Sequence, residues 1–241
     1  MPPVERRMHH RNKPITRTDG WKVPRMWEGG VCFILGGGPS LNLINFDLIK
    51  DRRIIAVNNA YGAPDLSVDP KPNRNSANHK PRPYTPRPWV DVCWFGDGRW
   101  YPWHRTSLKR FGGLIATCEA KWKGKDRVMC LHRGKPAGID HRPRYISWGK
   151  CSGNSAINFA YHTGVKRVVL LGFDMRRVED SANWHDDHPA PKKDPYERFI
   201  KPHDVIAKDA EKHGLQIINC TPGSALDHYP IMALEDYLAS E

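Results

Sequence analysis

No stretch of this chain approaches the roughly eighteen consecutive apolar residues of a membrane-spanning helix. Its first residues are basic rather than apolar, so no secretory signal core is read there, and a soluble, cytoplasmic protein is expected. Paired cysteines are missing too. The six cysteines stand singly and no CxxC occurs, which excludes a zinc-ribbon arrangement and a disulfide framework. Acidic residues are in deficit, 26 Asp and Glu against 38 Lys and Arg, leaving a formal charge of +12 that calls for an anionic partner. Much of that excess lies in two segments poor in aliphatic residues. One is the N-terminal MPPVERRMHHRNKPITR, and the other is KPNRNSANHKPRPYTPRP at residues 71–88. Residues 1–28 read as a basic irregular arm. Residues 29–241 read as a single domain, interrupted by a Pro-, Arg- and Asn-rich inserted loop at residues 63–88.

What the domain does contain is a set of short apolar runs at residues 31–35, 54–57, 90–95, 114–117, 127–131, 168–171 and 216–220. Continuous apolar runs are the habit of strands buried on both faces. Helical patterns lie between several of them. The clearest begins at Ser152, carries Ala156, Ile157, Ala160 and Tyr161 at helical spacing, and stops at Gly164. Another runs over residues 196–213. Alternating strands and helices specify an α/β fold, a doubly wound, mostly parallel Rossmann-like sheet with helices on both faces. The first run leads into GGGPSLNLINFDLIK, read as strand, tight turn and helix. Gly36, Gly37 and Gly38 allow close approach of a ligand, and Pro39 and Ser40 suit a helix N-terminus that favours an anion.

Ligands of such sheets bind outside the carboxyl ends of the strands. There the sequence places the 36–40 turn, Asn58, Asn59, Asp97, Asp174 and the loop WHDDHP with His185 and His188. Other familiar loops are absent. A dinucleotide fingerprint needs a glycine where Leu41 stands and an acidic residue where Asn58 stands. No lysine follows the glycines as an ATPase loop requires, and no G-x-S-x-G elbow occurs.

The ordered set GGGPSLN, IIAVNNA, WFGD, SGNSAINFAYHTGVKRVVLLGFDM with a following Trp-His, and INCTPGSAL resembles one family over about residues 30–238. It is the Rossmann-like group common in tailed phages and prophages, which is related to motility-associated flagellin glycosyltransferases. More distant relatives are CMP-sialic-acid sialyltransferases and archaeal hydroxymethyl-dihydropterin pyrophosphokinases. The resemblance implies nucleotide phosphates at Gly36 to Ser40, a nucleotide contact from Asn58, and Ser152 and Gly153 beside the nucleotide. It also implies a general base from His185 or His188. The donor would be a nucleotide sugar, CMP-linked in the sialyltransferase case. The acceptor would be a modified DNA base, a surface glycan or a protein, in host cytoplasm if the chain is phage-encoded. The tyrosine pair that holds the leaving phosphate in the sialyltransferases has no clear counterpart. Of the pyrophosphokinases' metal-binding aspartates only Asp97 matches.

The residues leave several roles open. WHDDHP supplies either a general base near pH 7 or ligands for a divalent metal. Asp174 binds ribose or a metal, assists catalysis, or caps a turn. Trp100, Tyr101, Trp103 and His104 stack a base or pack a core. Three functions are therefore carried forward. They are a nucleotide-sugar transferase, an ATP- and metal-dependent pyrophosphokinase-like enzyme, and a non-catalytic phage assembly protein that meets nucleic acid through its basic arm and loop.

Overall fold

A computed structural model describes residues 20–71, 78–188 and 193–241. Seven strands form one fully parallel sheet. They are β1 (Val31–Leu35), β2 (Ile54–Val57), β5 (Val92–Phe95), β6 (Leu114–Thr117), β7 (Val128–Cys130), β10 (Arg167–Leu171) and β11 (Gln216–Asn219). Each coincides within two residues of either end with an apolar run read from the sequence. Their order is β11-β10-β1-β2-β5-β6-β7. From β1 the chain winds outward to β7, then returns to the other side of β1, so the winding reverses between β1 and β10.

Alternate residues of each strand feed two cores. Cys32, Ile34, Ile55, Val57, Val92 and Trp94 face the layer of α2 (Ser152–His162) and α4 (His203–Lys212). Phe33, Leu35, Ile54, Ala56, Cys93 and Phe95 face α1 (Trp100–Leu108) and α5 (Leu234–Ala239). Both faces are therefore covered, which is why the strands read as unbroken apolar runs rather than as alternating ones. Each fully buried Leu, Ile or Phe contributes about 1.5–3 kcal/mol.

Several elements differ from the sequence reading. Residues 39–50 make no α-helix but two 3₁₀ turns, Pro39–Leu43 and Phe46–Leu48. Leu41 and Ile49 are buried there but Leu43 and Leu48 are exposed, so the apolar residues do not form one continuous helical stripe. The helix expected over residues 196–213 is two helices, α3 (Tyr196–Ile200) and α4, because Pro202 cannot continue the first. Trp100 and Tyr101 lie in α1 and are buried in the core, which takes them from the stacking role. The segment between residues 132 and 150 carries a short parallel pair, β8 (His132–Arg133) and β9 (Tyr145–Ile146).

Within the segment read as an inserted loop, β3 (Gly62–Pro64) pairs antiparallel with β4 (Tyr84–Pro86), and Lys71 bridges to Lys80. Tyr84 is buried from this hairpin. Its hydroxyl donates to Asp187 and accepts from Asn59 Nδ2 at 2.8 Å. Residues 1–19, which hold most of the basic arm, lie outside the described residues, as do residues 72–77. Behind the arm, Trp27 donates its amide to the Thr163 carbonyl at 2.9 Å and Trp21 stacks on Phe159.

The Tyr84 hydroxyl serves both a fully buried carboxylate and a buried amide. Tyr84→Phe should cost about 1–3 kcal/mol, since it leaves two buried polar groups short of a partner. Urea denaturation would register the loss as a lower midpoint. A midpoint within error of the wild type would mean that this hydroxyl carries no stability.

Candidate functional site

The carboxyl ends of β1 and β10, where the winding reverses, are welded together. Gly36 donates to Leu171 O at 2.7 Å and Gly38 to Gly172 O at 2.8 Å. A Cβ on Gly36 would lie 2.4 Å from Gly172 O, and one on Gly38 would lie 1.9 Å from Asp174 Oδ2. These two glycines are thus required by backbone approach, whatever binds nearby. Asp174, just past β10, is buried and closes the turn. Its Oδ1 accepts from the Ser40 amide at 3.1 Å and its Oδ2 from Ser40 Oγ at 2.8 Å. Burial raises the Asp174 pKa, and the Ser40 bonds oppose that rise.

This arrangement narrows the phosphate cradle drawn from the sequence. The donors at positions 36, 38 and 40 are already spent inside the protein, and Pro39 has none. Gly37 is different. Its amide has no partner among the described residues, and a Cβ there would meet nothing nearer than Asn183 Oδ1 at 3.8 Å.

Asn58 and Asn59 end β2 in opposite ways. Asn59 is buried in the core, accepting from Trp100 Nε1 at 2.6 Å and donating to Tyr84 Oη, so it is structural. Asn58 adopts a left-handed backbone, φ +51°, and its buried Oδ1 has no hydrogen-bond partner. Leu35 pairs with Ala56 in the sheet, so Gly37 and Asn58 each stand two residues past the same rung. Non-glycine residues in left-handed backbone and unsatisfied buried acceptors are both costly, and both concentrate at functional sites.

Next along the edge, Gly96 donates to Ser152 Oγ at 3.0 Å, which fixes the start of α2 against the end of β5. Gly153 leaves no room for a side chain, since a Cβ would sit 2.9 Å from the Phe173 ring. Asp97 is half exposed and accepts from the Arg99 amide at 2.8 Å and its guanidinium at 3.0 Å. Burial pushes the Asp97 pKa up, but the Arg99 bonds outweigh it and hold the pKa below its usual value.

The histidine loop folds back over the glycine turn. Trp184 donates to Gly37 O at 3.1 Å, and Asn42 Nδ2 donates to Trp184 O at 2.9 Å. Within WHDDHP the two carboxylates are committed to the hairpin. Asp186 takes the Arg82 guanidinium, while Asp187 takes the Arg82 amide at 3.0 Å and the Tyr84 hydroxyl. Among the described residues no group of three His, Cys, Asp or Glu has the geometry of a metal site.

The two histidines are not equivalent. His185 Nδ1 accepts from the Asp187 amide at 3.3 Å, which leaves the proton on Nε2 and makes that nitrogen a donor. His188, 5.1 Å away between ring centroids, has no such hydrogen bond among the described residues. Burial holds His185 well below the ordinary histidine pKa. Burial also lowers His188 to about 4, with His79 adding to the shift while Asp187 and Asp97 oppose it. Both are therefore neutral near pH 7, and His188 is a weaker base than an unperturbed imidazole.

Two further side chains belong here: His104, read from the sequence only as part of the stacking cluster, and Arg87, which the sequence did not mark. His104 stacks on Trp100 at 4.3 Å, approaches the Tyr61 hydroxyl at 3.2 Å, and leaves a buried Nε2 without a partner. Arg87 donates to Ala60 O and Gly62 O and lies over the Phe46 and Trp184 rings, and its burial lowers its pKa to about 10. The only signal of Arg87 was its position inside the proline-rich segment, which reads as loop. Two surface cavities contain none of the site residues: about 170 Å³ beside Arg105 and Asp126, and about 360 Å³ between α4 and β11.

No family model and no curated protein matches the chain. Among solved structures, the sialyltransferase CstII from Campylobacter jejuni, in complex with the substrate analogue cytidine-5'-monophosphate, is similar over 86% of each chain. The identity is 12% and the TM-score 0.49.

The buried histidines set a pH dependence. A folded-state pKa of about 4 for His188, against an ordinary value of about 6.5, means that the folded protein binds fewer protons than the unfolded chain. That contribution to stability is complete above about pH 6.5 and is lost as pH falls toward 4. Urea midpoints measured from pH 7.5 to 4 should fall over this window, and His188→Gln should flatten part of the fall. A midpoint independent of pH there would contradict a buried neutral His188.

Proposed function

We propose that this carboxyl edge binds a nucleotide or nucleotide sugar, and that the protein is a glycosyltransferase-like enzyme with His188 as its base. The observation that carries the reading is the pairing of Asn58 with Gly37 at the end of adjacent strands. An unsatisfied buried acceptor in a left-handed residue faces the same edge as an unpartnered backbone amide with open space around it. The Asn58 carboxamide oxygen suits a hydroxyl or an exocyclic amine of a nucleoside. The Gly37 amide suits a phosphate oxygen, as backbone N–H groups do at anion sites.

The histidine loop supports the second half of the reading. His188 is neutral, feels the Asp97 charge, and has no hydrogen bond tying up its ring among the described residues, so it can accept a proton from an acceptor hydroxyl. The tautomer of His185 suits it to donate a hydrogen bond rather than to take the proton. A base with a pKa of about 4 is weak, and a bound anionic phosphate nearby would raise that value toward neutrality. The metal-dependent alternative has fewer supports, because Asp186 and Asp187 are spent on Arg82 and Tyr84, and Asp97 on Arg99.

Gly37 offers a clean test, since a Cβ there meets nothing nearer than Asn183 Oδ1 at 3.8 Å. Thermal shift with CMP-, UDP- and GDP-linked sugars should show stabilisation by one of them, about 2.7 kcal/mol at a hundredfold excess over Kd. Gly37→Val should abolish the shift while leaving the unliganded melting temperature nearly unchanged. His188→Gln should retain the shift and lose hydrolysis of the same donor by 10²-fold or more. Absence of a shift with every nucleotide, or a shift that survives Gly37→Val, would refute the site.

A further inference from the structure

The other half of the carboxyl edge carries a feature that nucleotide binding leaves unused. Between Glu119 and Lys150 the chain has nine Lys or Arg against three Asp or Glu, outside both basic segments noted above. All three acids are already neutralised by arginines: Glu119 by Arg133, Asp126 by Arg105 and Asp140 by Arg142. Lys121, Lys125 and Lys150 are exposed and pair with no carboxylate among the described residues.

These cations are arranged around two half-buried indoles. The Trp122 ring has Lys121 Nζ at 5.4 Å and Lys125 Nζ at 5.3 Å. The Trp148 ring has Lys150 Nζ at 4.6 Å and the Arg133 guanidinium at 5.5 Å. The 96–98 loop joins the two. Trp122 Nε1 donates to Gly98 O at 2.9 Å, and Arg133 reaches both Glu119 and Gly96 O. Two aromatic faces bracketed by cations therefore flank one loop at the end of the sheet.

We propose that this face binds single-stranded nucleic acid, with Trp122 and Trp148 stacking on bases and Lys121, Lys125 and Lys150 meeting the phosphates. The chemistry favours a strand over other polyanions. An acidic peptide or a sulfated glycan would use the cations but leave both indoles without a partner. A duplex hides its base faces, whereas every unpaired base offers one. Lysines resting on a tryptophan ring give up a modest cation–π contact and move to phosphate when a base takes their place. The surface stands apart from the nucleotide reading, sharing only the 96–98 loop with it.

Fluorescence anisotropy of a labelled oligothymidylate twelve-mer against the full-length protein tests this. Affinity should fall with salt on a log–log slope of about −2 to −3, from about 0.7 per phosphate contacted. The triple variant Lys121→Gln, Lys125→Gln, Lys150→Gln should lose about 2 of that slope. An abasic strand of equal length should bind about tenfold more weakly or worse, since stacking is lost. Circular dichroism and an unchanged melting temperature would show that the triple variant is folded. A full-length variant with Arg6, Arg7, Arg11, Lys13 and Arg17 changed to Gln should keep its affinity. Equal binding of duplex or abasic DNA, equal competition by polyglutamate, or a triple variant with undiminished affinity and slope would overturn the proposal.

Discussion

The contact on which the site depends is the Asp174 carboxylate bridging the amide and hydroxyl of Ser40. It spans 134 residues of sequence and ties the end of β10 to the turn after β1, at the point where the sheet reverses its winding. Because a buried carboxylate already holds those donors, the glycine turn is not a generic anion cradle. What remains free to meet a ligand is displaced by a few residues, to the Gly37 amide and the unsatisfied Asn58 oxygen. The turn is rigid where Asp174 holds it and open where nothing does, which is the preorganisation a binding site needs.

A second constraint links the histidine loop to the hairpin of residues 62–86. Asp187 has no exposed surface, and the charge is tolerable only because Tyr84 and Arg82 donate to it. The Asp187 amide in turn fixes the tautomer of His185, so a proline-rich hairpin far away in sequence bears on the orientation of that imidazole. Arg87 reinforces this link by lying over Trp184 while donating to the carbonyls after β2. Asn59, one residue from the candidate ligand contact, belongs to the same network through Tyr84.

Much of the fold was legible because a fully parallel sheet writes itself as unbroken apolar runs. All seven central strands coincide with such runs, and Gly164 closes α2 with the left-handed backbone expected of a stop. The hairpin was illegible because prolines at its strand ends and a scarcity of aliphatic residues mimic a loop. Tyr84 and His79 are buried from it. The failed first helix follows from exposed Leu43 and Leu48, which a linear reading takes for a core face. Residue types and the strand-end rule placed the candidate segments at one edge of the sheet. They did not distinguish Asn58 from Asn59, nor a phosphate donor from the Asp174 cap, because those differences arise from contacts across the sheet.

The central claim is that a nucleotide docks between Gly37 and Asn58. The most direct measurement is backbone amide chemical-shift mapping of the isotopically labelled protein during titration with CMP, CMP-linked sugar and other nucleotides. Saturable shifts centred on Gly37 and Asn58, extending to Asp97 and Ser152 and sparing the cavity between α4 and β11, are the expected result. Shifts confined to that cavity or to the face around Trp122, or no saturable shift with any nucleotide, would contradict the account.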